Sequence, residues 1–548
     1  MIERTADIWW KNAVVYCLDA ESFADSNGDG CGDLPGLTDR IDYLAGIGVT
    51  CLWLMPFYPS PNRDDGYDIV DFFGVDARLG TPGDLVELVR TARDRGIRVI
   101  ADLVVNHTSD QHPWFRAARA DADSPFRDFY VWADERPDDP GMPQPVFPDQ
   151  ETSVWSYDRS ARQYYLHHFY RHQPDLNVAN PEVRDAIAKV IGYWLEQGLS
   201  GFRIDAVPFL IETHGLSPMG GRDPHELLRE MRAFGARRAG DHVLLGEVNL
   251  PPPEMRDFFG SGEGDELQML FTFTVNQAMY LSFARGQAGP IRDALRALPE
   301  IPEACQWAHF VRNHDELTLD KLSEDERGEV FAAFGPEPEL QLFGRGLRRR
   351  LPTMLDNDPD RIRLAYGLLF SLPGTPVLFF GEEIGMAENL DIPGRMSVRS
   401  PMQWSADAPN GGFSDADPTR LRRPVVDDPA YAPAAVNVAD QRRDPDSLLN
   451  WLERVIRTRK ECHEIGHGEW EVLDAGHPAL LAIRYEWNAR TLVALLNVGG
   501  AEASGAIDVG LEADALEEVL GRGDHRPRPG GRLEVSLPRY GYRWLRSS

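Results

Sequence analysis

Eight short apolar runs recur along the chain with amphipathic stretches between them, and this alternation restricts the fold more than any other feature. VVYCLD (14–19), CLWLMP (51–56), VIADLV (99–104), GFRIDAV (201–207), VLLGEVN (243–249), QMLFTF (268–273), WAHFVRN (307–313) and PVLFFGE (376–382) each have the length and apolar content of a buried strand. Helix starts stand between them at Thr81-Pro82, Asn180-Pro181 and Asp223-Pro224, the last with Glu226 spaced to close a capping box. After Asn180, the residues Ile187, Val190, Ile191, Trp194 and Leu195 fall on one stripe, as a helix packed on a sheet requires. Eight successive β-then-α units predict an α/β fold, a (β/α)8 TIM barrel.

Two stretches are too long for plain connections. Residues 106–178, rich in aromatics, Asp and Pro, are expected to form a small inserted domain after the third strand. Residues 385–445, rich in Pro, Asp and Arg, follow the eighth. Both leave from strand C-terminal ends, the face where barrel enzymes build their sites, so they are expected to wall a pocket. From 466 onward, EWEVL, ALLAIRYEW, TLVALLNV and RLEVSL alternate with no helices between them, which predicts a C-terminal antiparallel β-sandwich. The expected division is barrel 1–105, inserted domain 106–178, barrel 179–465 and sandwich 466–548.

A formal net charge of -30 argues against nucleic acid and against anionic lipid, both of which require a basic face. A neutral substrate is expected. No apolar run reaches the length of a membrane span, and MIERTADIWWKNAVVY lacks the sections of a secretory signal, so the expected location is cytoplasmic. Cys17, Cys31, Cys51, Cys305 and Cys462 are odd in number and lack a CxxC pair, which reads as free thiols. Self-association into a homo-oligomer stays open.

The fourth strand carries the chemistry. In GFRIDAVP (201–208), Arg203 and Asp205 are two residues apart and project from one face. Asp205 ends this strand and Glu247 ends the next, so parallel neighbours about 4.8 Å apart would hold two carboxyl groups across a narrow gap. Carboxyls about 5 to 5.5 Å apart suit retaining glycoside chemistry, in which one is the nucleophile and the other the acid/base. Arg203 would keep Asp205 ionised, and a water-poor site would keep Glu247 protonated. Asp315 and His314, in FVRNHDE, and His107, after DLVVN, bring a third acid and two imidazoles to the same mouth.

DLVVNH (102–107), GFRIDAVP (201–208), GEVN (246–249) and NHDE (313–316) together resemble the four ordered signature regions of the α-amylase family, retaining enzymes of α-glucosides. The resemblance runs across nearly the whole chain. It implies Asp205 as nucleophile, Glu247 as acid/base and Asp315 as a holder of sugar hydroxyls, with His107 and His314 as hydrogen-bonding partners in the glucose subsite. Asp64 and Tyr67 of RDDGYD match residues that close this subsite at the non-reducing end. PFYPSPNRDDGYDI, NHTSDQHPWF, HQPDLN, RNHDELTL and VRSPMQWS resemble the branch that interconverts maltose and trehalose, and VRSPMQWS places Arg399 at the acceptor side. The expected substrate is a small α-linked disaccharide. An exo-acting α-glucosidase or a transglucosidase is the rival reading, and a catalytically inactive sugar-binding barrel the reading outside enzymes. Val248, the stretch 270–277, Met396 and Ser397 depart from the family pattern, all near the acceptor side.

DSNGDGCGD supplies Asp25, Asn27, Asp29 and Asp33 as hard oxygen ligands, with the Cys31 carbonyl as a fifth, for calcium or magnesium. Residue twelve of that loop is Gly36 where an EF-hand has Glu, and a self-capped Asx turn is the alternative. A second structural site, implied by the resemblance alone, would use Asn106, Asp175 and Glu212 with the carbonyls of Phe209 and Leu210. No organic cofactor is implied.

Overall fold

A computed structural model describes residues 8–137, 145–211, 223–510, 516–521, 524–528 and 532–547. Eight parallel strands close into a barrel: β1 (Val15–Leu18), β2 (Cys51–Leu54), β3 (Arg98–Leu103), β4 (Gly201–Ile204), β5 (Val243–Gly246), β6 (Met269–Phe271), β7 (Gln306–Phe310) and β8 (Thr375–Phe379). Each coincides with one of the eight apolar runs, β3, β7 and β8 starting one residue earlier at Arg98, Gln306 and Thr375, and β8 pairs β1 through Val377 and Val15 to complete the ring. The strands are short because both faces are buried, the inner by the barrel core and the outer by helices.

Local chemistry sets the helices. Asn180 accepts from Glu182 N at 2.9 Å and caps Pro181–Glu196, whose stripe Ile187, Val190, Ile191, Trp194 and Leu195 is buried. Thr81 and Asp84 form a capping box at Pro82–Asp94. The box expected with Glu226 does not form. Asp223 accepts from His225 N and is drawn to Arg229 at 2.6 Å, so the helix Glu226–Arg238 starts after His225, and the Glu226 side chain lies 3.5 Å from Arg184 instead.

The connection after β3 holds a helix, Pro113–Ala120, and a three-stranded sheet of Trp132–Ala133, Gln163–Leu166 and Trp155–Asp158. After β8 the chain runs through 3-10 turns, one of them Gly394–Val398, above the barrel mouth. At the C-terminal end, the sheet containing Leu480–Trp487 and Arg490–Asn497 has period-two sidedness. Leu480, Ala482, Val493 and Leu495 face a second sheet through Ile507, Leu533 and Val535, whereas Leu481, Ile483, Leu492 and Ala494 join the barrel core. The alternating pattern therefore buries both faces, one inside the sandwich and one against the barrel. Among the described residues, no helix is long and apolar enough to cross a membrane.

Candidate active site

Strand register brings the two central carboxyls together. Arg203 of β4 is level with Leu245 of β5, and Ile204 with Gly246, so Asp205 and Glu247 leave adjacent strands at the same height. The strands come unusually close at their start. Gly201, at φ +145°, pairs with Val243, and a Cβ there would lie 2.1 Å from the Val243 carbonyl oxygen. Past Asp205 the chain turns sharply through Ala206 in the left-handed region (φ 52°, ψ 41°), which aims its N–H at Glu247 Oε2, 3.2 Å away.

Arg203 is the hub. It is 2% exposed, and its Nη1 donates to Asp205 Oδ1 at 2.7 Å and to Asp102 Oδ1 at 2.5 Å, while Nη2 donates to Glu247 Oε2 at 2.5 Å. Asp102 is the register partner of Arg203 on β3 and also accepts from Trp53 Nε1 at 2.9 Å. Burial pushes the Asp205 carboxyl up to about 6, with Arg203 opposing and Asp102 adding to the rise. Burial also raises Glu247, again against Arg203, and the neighbouring Asp205 charge raises it further. Arg203 thus holds Asp205 as expected, but burial outweighs it, and the nucleophile candidate is a weaker acid than a free aspartate.

Asp315 has the opposite balance. Burial alone would raise it, yet Arg395, His314 and Arg399 hold it well below the usual carboxylate range. Arg395 Nη1 and Arg399 Nη2 both donate to Asp315 Oδ1, at 2.5 and 2.9 Å, and His314 Nε2 stands 3.1 Å from Oδ2. The other end of Arg395 is bonded to Asp64, which also takes Gln173 Nε2 at 2.9 Å. Tyr67 lies parallel to the His314 ring, 5.8 Å away, with its hydroxyl 2.9 Å from Nε2.

Asp64, Tyr67, His107, Asp205, Glu247, Asp315 and Arg395 line one cavity of about 440 Å3, together with Asn249, Thr318, Asp320 and Lys321. That volume suits a ligand of disaccharide size. Paired carboxyls with raised proton affinities beside an ionised third acid form an arrangement able to break and remake a glycosidic bond with retention.

The family model for the α-amylase catalytic domain matches residues 18–329 and 347–468. The chain belongs to the α-amylase family. Among its relatives, the trehalose synthase of Pimelobacter sp. (strain R48) is 43% identical over 483 residues, 86% of this chain and 83% of that protein. The trehalose synthase/amylase TreS of Mycobacterium tuberculosis (strain ATCC 25618 / H37Rv) is 44% identical over 478 residues, 86% of this chain and 79% of that one. Among solved structures, the trehalulose synthase MutB from Pseudomonas mesoacidophila MX-45 superposes with a TM-score of 0.78 at 27% identity, covering 98% of this chain and 99% of that one.

As an α-amylase-family site, the arrangement brings together Asp205, Glu247, Asp315, Asp64, Tyr67, His107, Arg203 and His314. Arg203 and His314 stand behind the cavity wall, and Arg399 does as well. It was expected at the acceptor side, but it is wholly buried and off the cavity wall, donating to the His314 carbonyl at 2.7 Å and pairing with Asp65 and Asp315. The residue on the wall is Arg395, one helical turn earlier. Arg395 went unread because the resemblance of VRSPMQWS pointed to Arg399, and nothing local in DIPGRMSVRS marks Arg395. The missed signal was the adjacent pair Asp64-Asp65, two buried acids that need separate cations: Arg395 for Asp64, and Arg399 with Arg423 for Asp65. Asn249 was likewise missed; it lines the cavity, and its amide donates to Asp320 at 3.1 Å.

In the 25–33 loop, Asp25 accepts from Asn27 N and Gly28 N, Asn27 from Asp29 N, and Asp29 from Cys31 N, at 2.8 to 3.0 Å. Asp33 caps the helix Leu34–Thr38 through Gly36 N at 2.6 Å. These are successive Asx turns, whose hard oxygens suit a divalent cation. Among the described residues, however, no three His, Cys, Asp or Glu side chains converge to hold one. At the second site Asn106 donates to Asp175 Oδ1 at 3.3 Å and His168 Nδ1 lies against Oδ2, so both Asp175 oxygens already have partners within the protein, and Glu212 lies outside the described residues.

Proposed function

We propose that this enzyme interconverts maltose and trehalose by moving one glucosyl unit within a closed pocket. The observation that carries the reading is the shared grip of Arg203 on Asp205 and Glu247 beside a cavity whose wall carries the Asp64–Arg395 ion pair, with Gln173 bonded to Asp64 behind it. One terminal glucose fits against that wall. Asp205 attacks its anomeric carbon as Glu247 gives a proton to the glycosidic oxygen, and the bond to the second glucose breaks. The released glucose then presents its own anomeric hydroxyl. Glu247 removes that proton as the new bond forms at the carbon held by Asp205, which leaves as a carboxylate, and an α,α-1,1 link results. Asp315 and His107 take hydroxyls of the glucosyl unit throughout.

Water reaching the glucosyl-enzyme in place of glucose yields hydrolysis, and the double name of the M. tuberculosis relative supports a measurable share of it. A structural calcium or magnesium on the 25–33 loop is part of the same proposal, supported by the oxygen donors there; no step passes through it. Incubation with maltose, followed by proton NMR, tests the reading. Trehalose ahead of glucose is the expected result, and glucose alone would make the enzyme an α-glucosidase.

A further inference from the structure

Inside the barrel, against the back of Glu247, lies a second and much smaller cavity, whose border includes Cys17, Trp53, Arg203, Arg312, His314 and Val377. Its volume of about 10 Å3, measured for the centre of a water-sized sphere, admits one water molecule and no sugar. Two of the bordering side chains carry buried polar atoms with no hydrogen-bond partner among the described residues, Arg203 Nε and His314 Nδ1. These side chains are 2% and 1% exposed. Their remaining nitrogens are engaged, Arg203 with Asp102, Asp205 and Glu247, and His314 Nε2 with Asp315 and Tyr67.

The chemistry of the occupant follows from these partners. A guanidinium Nε–H only donates, so the occupant must accept from it. An anion is disfavoured, because Arg203 already faces three carboxyl groups, and the nitrogens of Arg312, the other guanidinium bordering the cavity, are all taken by the backbone carbonyls of Arg349, Asn313, Asp315 and Leu347. A cation is disfavoured by the fixed N–H. A small neutral group that both accepts and donates meets every condition.

We infer that this cavity holds one resident water, accepting from Arg203 Nε–H and donating to His314 Nδ1. The bridge fixes a tautomer. With Nδ1 an acceptor, the proton of the neutral imidazole sits on Nε2, where it is donated toward Asp315 Oδ2 or the Tyr67 hydroxyl. Burial favours that neutral ring. The water thereby links the guanidinium that holds Asp205 and Glu247 to the histidine that orients Asp315, and His314 acts here as a positioning residue. Its effect on turnover rests on the proposed chemistry, whereas its presence does not.

A high-resolution crystal structure of the full chain is the direct test, with one water peak expected within hydrogen-bond distance of both nitrogens. An empty cavity, or a halide peak in a protein whose activity needs chloride, overturns the inference. Val377→Ile is the second test, since the added carbon fills the space. Loss of one bridging hydrogen bond is expected to lower kcat about fivefold with little change in KM, and to move the acid limb of the kcat profile. Val377→Ala, which keeps the space, is expected to lose melting temperature and retain the profile. A folded Val377→Ile enzyme with wild-type kcat and wild-type pH profile overturns the role. If maltose is not turned over at all, the proposed function fails while the crystal structure still decides the water.

Discussion

Asp205 and Glu247 accept hydrogen bonds from the two terminal nitrogens of a single guanidinium, that of Arg203, at 2.7 and 2.5 Å. One buried cation therefore serves two acids with different tasks, and a third acid, Asp102, draws on the same charge at 2.5 Å. Because the positive charge is divided, burial prevails over it at both Asp205 and Glu247. Both carboxyls therefore hold their protons more tightly than free carboxyls do, which suits a site where one of them must give a proton.

This balance sets the pH dependence. The nucleophile must be ionised, and a raised carboxyl pKa favours its neutral form, so activity is expected to fall as pH drops through about 6. The limb belongs to the coupled pair. Asp102→Asn removes a negative charge that raises Asp205, so the limb is expected to move to lower pH, and kcat/KM profiles of the two proteins check it. A limb that stays in place or moves upward would contradict the assignment.

Asp205→Asn is expected to reduce turnover by about 10^4-fold or more while leaving the fold intact, since it removes the nucleophile and retains the shape. Circular dichroism and melting separate loss of chemistry from loss of structure. Wild-type-like activity in a folded variant would sink the site assignment.

Arg395 ties Asp64 to Asp315 on the cavity wall. In Arg395→Ala both acids lose a charge-assisted hydrogen bond, worth about 1.5 to 3 kcal/mol each way of counting, so kcat/KM for maltose is expected to drop about 10- to 100-fold. Asp315 also loses the first of the charges that depress it, so its protonation moves toward the ordinary carboxylate range. Steady-state kinetics across pH would detect both effects, and unchanged kinetics would remove Arg395 from the site.

Chelation by EDTA is expected to lower the melting temperature by a few degrees, because an ion bound only by the folded loop stabilises by mass action. Restoration by added calcium or magnesium should follow. An unchanged melting curve would leave the Asx turns as the complete account of the 25–33 loop.

The sequence by itself determined the barrel, because a strand buried on both faces must be a short apolar run and a covering helix must show a 3.6-residue stripe. It also determined Asp205, Glu247 and Asp315, since acids at the ends of apolar strands have few bland explanations. What it could not carry was the pairing of charges between segments far apart in the chain. The resemblance of VRSPMQWS pointed to Arg399, and only the tertiary structure decided that Arg395 meets Asp64 at the cavity wall while Arg399 lies buried against the His314 carbonyl. Asp175 likewise reads as a free ligand until His168 is found on it. Local pattern encodes what a residue's own strand or helix demands, whereas the partner of a buried charge is chosen by folding, which brings together side chains separated by 331 positions, as with Asp64 and Arg395.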